Sequence, residues 1–161
     1  MSTRWLDVDE QRAWRSLMTM TAELSAYLER QLRAHSDLST ADYEVLAHLS
    51  ESPDGQLRAK ALGAALRWDK SRLSQHLTRM ERRGLTTRLP VPDDQRGCIF
   101  GITDEGRARI ATAAPLHTAD VRDAFIDHAS PTQLATLCEL GDQIKGRLSE
   151  IGRDPAGEPG D

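Results

Sequence analysis

The chain has 161 residues, of which 39% are hydrophobic and 29% are charged, and its formal net charge is −4 at pH 7. This length suits one domain with a single core and excludes a large multidomain enzyme. The composition excludes a disordered polyelectrolyte. Because no apolar run is long enough for a membrane span or an export signal, we expect a cytoplasmic protein that is not inserted in a membrane.

Helices dominate the predicted structure of the first half of the chain. Apolar residues at alternating spacings of three and four, from Trp14 to Leu28, indicate a long amphipathic helix. Ser39, with Asp42 three residues later, and Asp69 further on are side chains suited to capping helix N-termini. The four predicted helices cover residues 11–33, 39–51, 58–66 and 69–83.

A hairpin is predicted after Gly84, where the hydrophobic period changes. Residues 85–89 and 98–102 have strand-forming composition, and the proline- and aspartate-rich segment between them favours a turn. Thr103 then caps a fifth helix, which we expect to reach about His128 with a kink at Pro115.

A sixth helix is predicted after a serine N-cap, a proline at the first helical position and a capping-box glutamine, which together occupy residues 130–133. Its apolar side repeats with the spacing of a coiled coil through Leu134, Leu137, Gly141, Ile144, Leu148 and Ile151. We therefore expect residues 11–33 and 104–151 to form dimerisation helices, although packing within one chain would also cover such stripes. Residues 153–161 are predicted to form a disordered tail.

The predicted fold class is mostly α with a small β wing (α+β), in the element order of a winged helix-turn-helix over residues 38–103. Between Leu66 and Phe100 the chain carries eight basic and four acidic residues, so this segment is +4 and the remainder is −8. Such a basic segment within an acidic chain suits a localised contact with DNA phosphates. A well-solvated charged surface would give the same balance.

Residues 69–83 form the predicted recognition helix. Leu73, Leu77 and Met80 define its buried side, and the polar side chains on the opposite side and its flank suit base and phosphate contacts. The residues from which we expect DNA contacts are Lys70, Ser71, Arg72, Ser74, Gln75, Thr78, Arg79 and Arg82. Those near the helix start should read bases, and the later arginines should touch phosphates.

Three segments resemble the MarR (multiple antibiotic resistance regulator) family, whose members are dimeric winged-helix transcription regulators. These segments are Trp68–Ser74 and Leu77–Leu85 at the two ends of the recognition helix, and the wing pattern Asp94-Gln95-Arg96 followed by Ile102–Gly106. The resemblance covers about residues 12–151.

The resemblance implies one domain over residues 1–161 and a homodimer that binds a pseudo-palindromic double-stranded DNA operator, most simply as a repressor. Within the predicted wing, residues 85–102, it implies that Arg96 enters the minor groove while Asp94 holds its guanidinium in position. A solvent-exposed ion pair is the alternative interpretation of these two residues.

The resemblance also implies a small aromatic or anionic effector, because family members often bind such ligands between the dimerisation helices and the winged domain. The residues that we expect nearest to such a cleft are Trp14, Tyr43, His48 and Trp68. Core packing is the alternative use of these aromatic residues. Cys98 is a second candidate sensor, since its oxidation within the wing would disturb DNA contact, whereas a buried thiol would be inert.

Catalytic and metal-binding functions find no support in the sequence. The histidines show no pair at a chelating spacing, and the motifs of common hydrolases, metalloproteases and nucleotide-binding loops do not occur. We therefore expect no metal, no cofactor and no enzymatic activity. The alternative function is a winged-helix dimer that mediates protein–protein contacts without specific DNA binding, for which a neutral or acidic recognition helix would be expected.

Overall fold

The computed structural model of the chain describes residues 4–90 and 98–152, which divide after Asp120 into two compact units. Its helices are α1 (Val8–Ser36), α2 (Thr40–Glu51), α3 (Ala59–Leu66), α4 (Lys70–Arg82), α5 (Asp104–Ala124) and α6 (Pro131–Ile151). Its strands are β1 (Gln56–Arg58), β2 (Thr86–Leu89) and β3 (Ile99–Ile102), and a 3-10 turn covers Ile126–His128. The predicted class, mostly α with a small antiparallel sheet, is confirmed.

The helices begin at the predicted capping residues. The side chains of Ser39, Asp69 and Ser130 each accept a hydrogen bond from the backbone N–H three residues later. The first helix starts earlier than predicted, because Asp7 and Glu10 form a reciprocal capping box that begins α1 at Val8.

The fifth helix is shorter than predicted. It ends at Ala124 instead of about His128, because Phe125 leaves the helical backbone region (φ −141°, ψ −59°) and a 3-10 turn follows. Pro115 lies inside α5 and does not end it.

The sheet has three antiparallel strands in the order β1–β3–β2, one more strand than the predicted hairpin. Leu57 of β1 and Arg88 of β2 lie opposite Phe100 of β3 on its two sides. The short β1 therefore joins the start of α3 to the wing. Asp94 and Arg96 lie outside the described residues, as does the predicted tail.

The core of the first unit fixes the orientation of α4. Leu73, Leu77 and Met80 of α4 are buried, as predicted, together with Leu46 of α2 and Leu62 of α3. Each fully buried leucine contributes about 1.5–3 kcal/mol of hydrophobic stabilisation. Because one side of α4 is held in this way, its opposite side faces solvent.

Thr103 and Gly106 join the end of α4 to the start of α5. The Thr103 hydroxyl donates a hydrogen bond to the Gly84 carbonyl (2.6 Å) and accepts one from the Gly106 N–H (3.0 Å). A Cβ on Gly106 would collide with the carbonyl oxygen of Leu85. The glycine therefore allows the first turn of α5 to lie directly against the backbone that leads into β2.

Both units carry exposed apolar side chains on a long helix. On α1, in the first unit, they are Val8, Trp14, Leu17, Met18 and Met20. On α6, in the second unit, they are Leu137, Leu140, Ile144, Leu148 and Ile151. Among the described residues, no helix combines the length and the apolar character needed to cross a membrane.

Candidate nucleic-acid interface

The predicted recognition residues of α4 share its solvent-facing side. Thr78 is half-buried, and its hydroxyl donates to the Ser74 carbonyl (2.8 Å). The others are exposed: Lys70, Ser71, Arg72, Ser74, Gln75, Arg79 and Arg82. Four cationic groups thus lie on one helix together with amide and hydroxyl groups, which is the donor set that suits phosphate oxygens and base edges.

The Arg72 guanidinium is stacked on an aromatic ring. Its Cζ lies 4.5 Å from the centroid of the Trp68 ring, which is a cation–π geometry. Trp68 in turn contacts the ring of His76 edge to face, with the two centroids 5.1 Å apart and the rings at 78°. Arg72 is therefore held by a side chain that itself rests on His76.

The Arg79 guanidinium is held by His76 directly. One of its terminal nitrogens, Nη2, lies 3.0 Å from His76 Nδ1. Because arginine can only donate hydrogen bonds, Nδ1 must be the acceptor and the neutral ring carries its proton on Nε2. His76 is buried although it lies on α4, the predicted recognition helix.

A buried carboxylate lies behind His76. Asp42 Oδ1 is 3.0 Å from His76 Nε2, although the ring N–H is not well aligned with that oxygen. Its other oxygen, Oδ2, accepts hydrogen bonds from the Arg83 guanidinium (2.7 Å) and from the Ser39 backbone N–H (3.0 Å). Burial alone would raise the pKa of Asp42, but the close His76 ring and the hydrogen bonds from Arg83 and Ser39 outweigh burial and hold that pKa far below its ordinary value.

Arg83 connects this carboxylate to the end of the first helix. Its second terminal nitrogen donates to the carbonyl of Asp37 (2.8 Å), the residue that ends α1 in a left-handed conformation (φ 55°). The start of α2, the end of α1 and the end of α4 thus meet at one ion pair. Neither Asp42 nor His76 was predicted as a functional residue, because Asp42 reads as a helix cap and the two lie far apart in the sequence.

The four residues predicted for an effector cleft take different positions. Tyr43 packs on His117 of α5, with ring centroids 4.5 Å apart, whereas Trp68 contacts His76 and Arg72 next to α4. His48 is half-buried on α2, and Trp14 is 55% exposed on α1. A surface cleft in the first unit is lined by residues 33–37, Arg109 and Thr112 and by none of the four.

The surroundings of Tyr43 contain polar atoms without partners. His117 Nδ1 and Asp120 Oδ2 are buried and accept or donate no hydrogen bond within the described part of the chain. His35 Nε2 is 3.9 Å from that oxygen, which is too far for a hydrogen bond. Burial lowers the pKa of His117, partly opposed by Asp120, and burial with nearby Glu51 raises the pKa of Tyr43.

Cys98, the second candidate sensor, receives little support from the structure. Cys98 is half-buried before β3, and burial raises the pKa of its thiol, which lowers the fraction of reactive thiolate. Residues 4–90 and 98–152 contain no group of three or more histidine, cysteine, aspartate or glutamate side chains placed to hold a metal ion.

Comparisons with known proteins agree on one family. The sequence profile of the MarR family matches residues 36–97. AbsC, a MarR family transcriptional regulator from Streptomyces coelicolor, has a similar structure with 37% sequence identity and a TM-score of 0.88, covering 92% of this chain and 99% of AbsC. A search of curated protein sequences gave no significant match.

Two similar structures contain DNA. Sco3205, a MarR family transcriptional regulator from the same organism crystallised in complex with DNA, is 33% identical with a TM-score of 0.85, covering 99% of this chain and 97% of Sco3205. A mutant MarR from E. coli complexed with operator DNA is 21% identical with a TM-score of 0.74, covering 86% of this chain and 99% of that one, and shares the fold.

Proposed function

Because this chain belongs to the MarR family of transcriptional regulators, we propose that it regulates transcription in the cytoplasm by binding a pseudo-palindromic DNA operator as a homodimer. The α4 helix of each protomer enters the major groove of one half-site, and the bound dimer represses by excluding polymerase. No enzymatic activity is part of this proposal. The observation that carries it is the solvent-facing side of α4, where four cationic groups, one amide and three hydroxyl groups lie opposite a buried apolar side.

The charge distribution supports a local DNA contact. The chain is acidic as a whole, so an unspecific attraction to DNA over its entire surface is disfavoured. The cations of α4 neutralise phosphates only where that helix docks, and this restricts binding to one orientation. In the wing, Arg96 enters the minor groove and Asp94 orients it.

The exposed apolar side of α6 supports the homodimer. Leu137, Ile144, Leu148 and Ile151 follow at spacings of seven, four and three, with Gly141 at the intervening position of the coiled-coil seam, and each of the four is exposed by more than two-fifths in a single chain. A second copy of this chain offers the same stripe, as two-fold symmetry requires. Dimerisation through α1 and residues 104–151 presents two α4 helices to the two half-sites.

The experiment is selection of duplexes from a randomised pool, followed by fluorescence anisotropy of the selected duplex and a scrambled one at several salt concentrations. We expect preference for the selected duplex, and a log–log salt slope that becomes shallower by about 1 in Arg79→Ala. Arg30→Ala, which removes the same charge from an exposed position on α1, should leave affinity and slope unchanged. Equal binding to both duplexes would favour the alternative, a winged-helix dimer that contacts proteins.

We also propose that a small aromatic or anionic effector releases the operator by binding near Tyr43. The unpartnered Nδ1 of His117 supports this, because a buried polar group gains stability when a ligand satisfies it. The unpartnered Oδ2 of Asp120 suits a donor group on the ligand, such as a hydroxyl, and not its anionic group. Trp14, His48 and Trp68 remain proposed contributors to the cleft.

A panel of aromatic carboxylates tests the effector proposal by thermal shift and by release from the selected duplex. We expect an active compound to raise the melting temperature and weaken DNA binding together. His117→Phe, which keeps a ring against Tyr43, should abolish both effects. A compound that acts equally on this variant binds elsewhere.

A further inference from the structure

Two of the cationic side chains on the solvent-facing side of α4 depend on the same buried ring. Arg79 donates to His76 Nδ1 (3.0 Å), and Arg72 stacks on Trp68, whose ring meets that of His76. Arginine loses considerable rotamer freedom when it binds a partner, so an arginine that is already held binds with less loss of entropy. Two DNA-facing cations are thus pre-positioned in the absence of DNA.

The carboxylate behind the ring fixes which nitrogen can act as the acceptor. Asp42 Oδ1, 3.0 Å from Nε2, favours a proton on that nitrogen, and this leaves Nδ1 free to accept from Arg79. The other charged group facing this site is Arg83, which pairs with Oδ2 of the same carboxylate. A series of contacts therefore leads from Asp42 of α2 through the buried His76 ring to Arg79 on the DNA-facing surface.

We propose that His76 is a positioning residue for DNA recognition: oriented by Asp42, it holds the Arg79 guanidinium in the conformation that contacts the operator. The proposal rests on the proposed function, because it assigns α4 to the DNA. It adds a buried residue that never touches DNA to the determinants of affinity. Arg82 is the matched comparison, since no side chain among the described residues pairs with its guanidinium.

The first test is a double-mutant cycle measured by anisotropy on the selected duplex. His76→Phe keeps a ring beside Trp68 but removes the acceptor, and we expect about tenfold weaker binding, the size of one lost hydrogen bond to a charged group. His76→Gln, which has one donor and one acceptor, should stay within about twofold of the wild type. The loss caused by His76→Phe should vanish when Arg79→Ala is also present and persist in full when Arg82→Ala is present.

Each alternative outcome of the cycle has a defined meaning. If His76→Phe weakens binding equally in the wild type, in Arg79→Ala and in Arg82→Ala, the histidine acts through folding alone and the proposal is overturned. Full affinity of His76→Phe beside a weakened Arg79→Ala would also overturn it. If the wild type does not distinguish the selected duplex from the scrambled one, the proposed function itself fails.

A second test does not require a substitution at the histidine. Ring nitrogen chemical shifts from two-dimensional NMR report which nitrogen carries the proton, and we expect the Nε2–H form of His76 in the free protein. Arg79→Ala should shift the Nδ1 resonance, whereas Arg82→Ala should not. A proton on Nδ1, or a resonance that neither variant moves, would overturn the proposal even if every histidine variant failed to fold.

Discussion

Asp42 is a carboxylate whose side chain is only 5% exposed, and it remains ionised because its partners are charged or polar groups at hydrogen-bond distance. Removing an ion from water costs several kcal/mol, so such a group is tolerated only where most of its lone pairs are used. Here the Ser39 N–H, the Arg83 guanidinium and the His76 ring surround the two oxygens. The residue therefore caps α2 and pairs with α4 at the same time.

Asp42→Asn should destabilise the protein much more than loss of a surface pair does. Removing one partner of a buried ion pair typically costs about 3–5 kcal/mol, and we expect the lower end because Arg83 is 40% exposed and can be rehydrated. Urea denaturation at fixed protein concentration measures the free energy of unfolding. Glu105→Gln, which breaks the exposed pair with Arg109, should change that free energy far less, because water screens an exposed ion pair. Equal effects of the two variants would contradict this assignment.

The same carboxylate predicts a loss of stability in acid. Its pKa is lowered on folding from an ordinary value of 3.8, so its contribution is complete above that value and is lost as the pH falls below it, where the unfolded chain binds the proton first. Urea denaturation between pH 7 and pH 3 should show the free energy of unfolding falling below about pH 4, the ordinary aspartate range. Asp42→Asn should show a shallower fall. Some slope should remain, because the pKa of Glu29 is also lowered on folding. Burial raises the pKa of Glu29, but the hydrogen bonds from Thr40 and Arg33 outweigh burial.

At the scale of elements, the junction between α4, the wing and α5 depends on close backbone approach. Thr103 bonds to the end of one helix and the start of the next, and Gly106 faces the Leu85 carbonyl where a side chain has no space. Backbone atoms cannot rotate away as a flexible side chain can. The threonine–glycine part of the wing pattern therefore has a structural cause that is separate from DNA contact.

Gly106→Ala should destabilise the fold by at least about 2 kcal/mol, because overpacking against backbone forces α5 away from the sheet. Gly146→Ala is the control within α6, where a Cβ meets nothing within 4 Å. That change should stabilise by about 0.5–1 kcal/mol, because alanine restricts the unfolded chain and favours a helix. Thermal denaturation of both variants measures the contrast, and a harmless Gly106→Ala would refute the close contact.

Features that depend on residues close in sequence were predicted correctly. The caps at Ser39 and Asp69 need only a side chain and a backbone group three residues apart, and the buried side of α4 follows from helical spacing. Strand β1 was missed because its three residues are ordered by pairing with the distant β3. The contact between Asp42 and His76 was missed for the same reason, since nothing in either local segment reports the other.

At the scale of the whole molecule, charge and apolar exposure occupy different parts of the chain. Cationic side chains are concentrated around α4, whereas the exposed apolar side chains lie mainly on α1 and α6. Single exposed apolar residues are ordinary, but a stripe with regular helical spacing favours association. The part of the chain suited to DNA and the parts suited to a second copy are thus distinct.

Ile144→Glu should convert the proposed homodimer to a monomer, because a charge placed in the proposed apolar seam loses hydration without gaining a partner. Light scattering coupled to size-exclusion chromatography measures the mass, and anisotropy should show weaker binding to the selected duplex. Gln143→Glu adds the same charge at the adjacent position outside the stripe and should leave the mass unchanged. A dimeric Ile144→Glu variant would place the interface elsewhere.

The ion pair that joins the ends of α1, α2 and α4 has a consequence for protein engineering. A recognition helix is often regarded as a module that can be exchanged to redirect a regulator to a new target, but here its inner surface is matched to this scaffold through Asp42. Exchange of the solvent-facing residues alone should be tolerated. A transplanted helix that lacks His76 and Arg83 would leave the Asp42 carboxylate unpaired in the core. The residues on the buried side of the helix therefore cannot be exchanged freely.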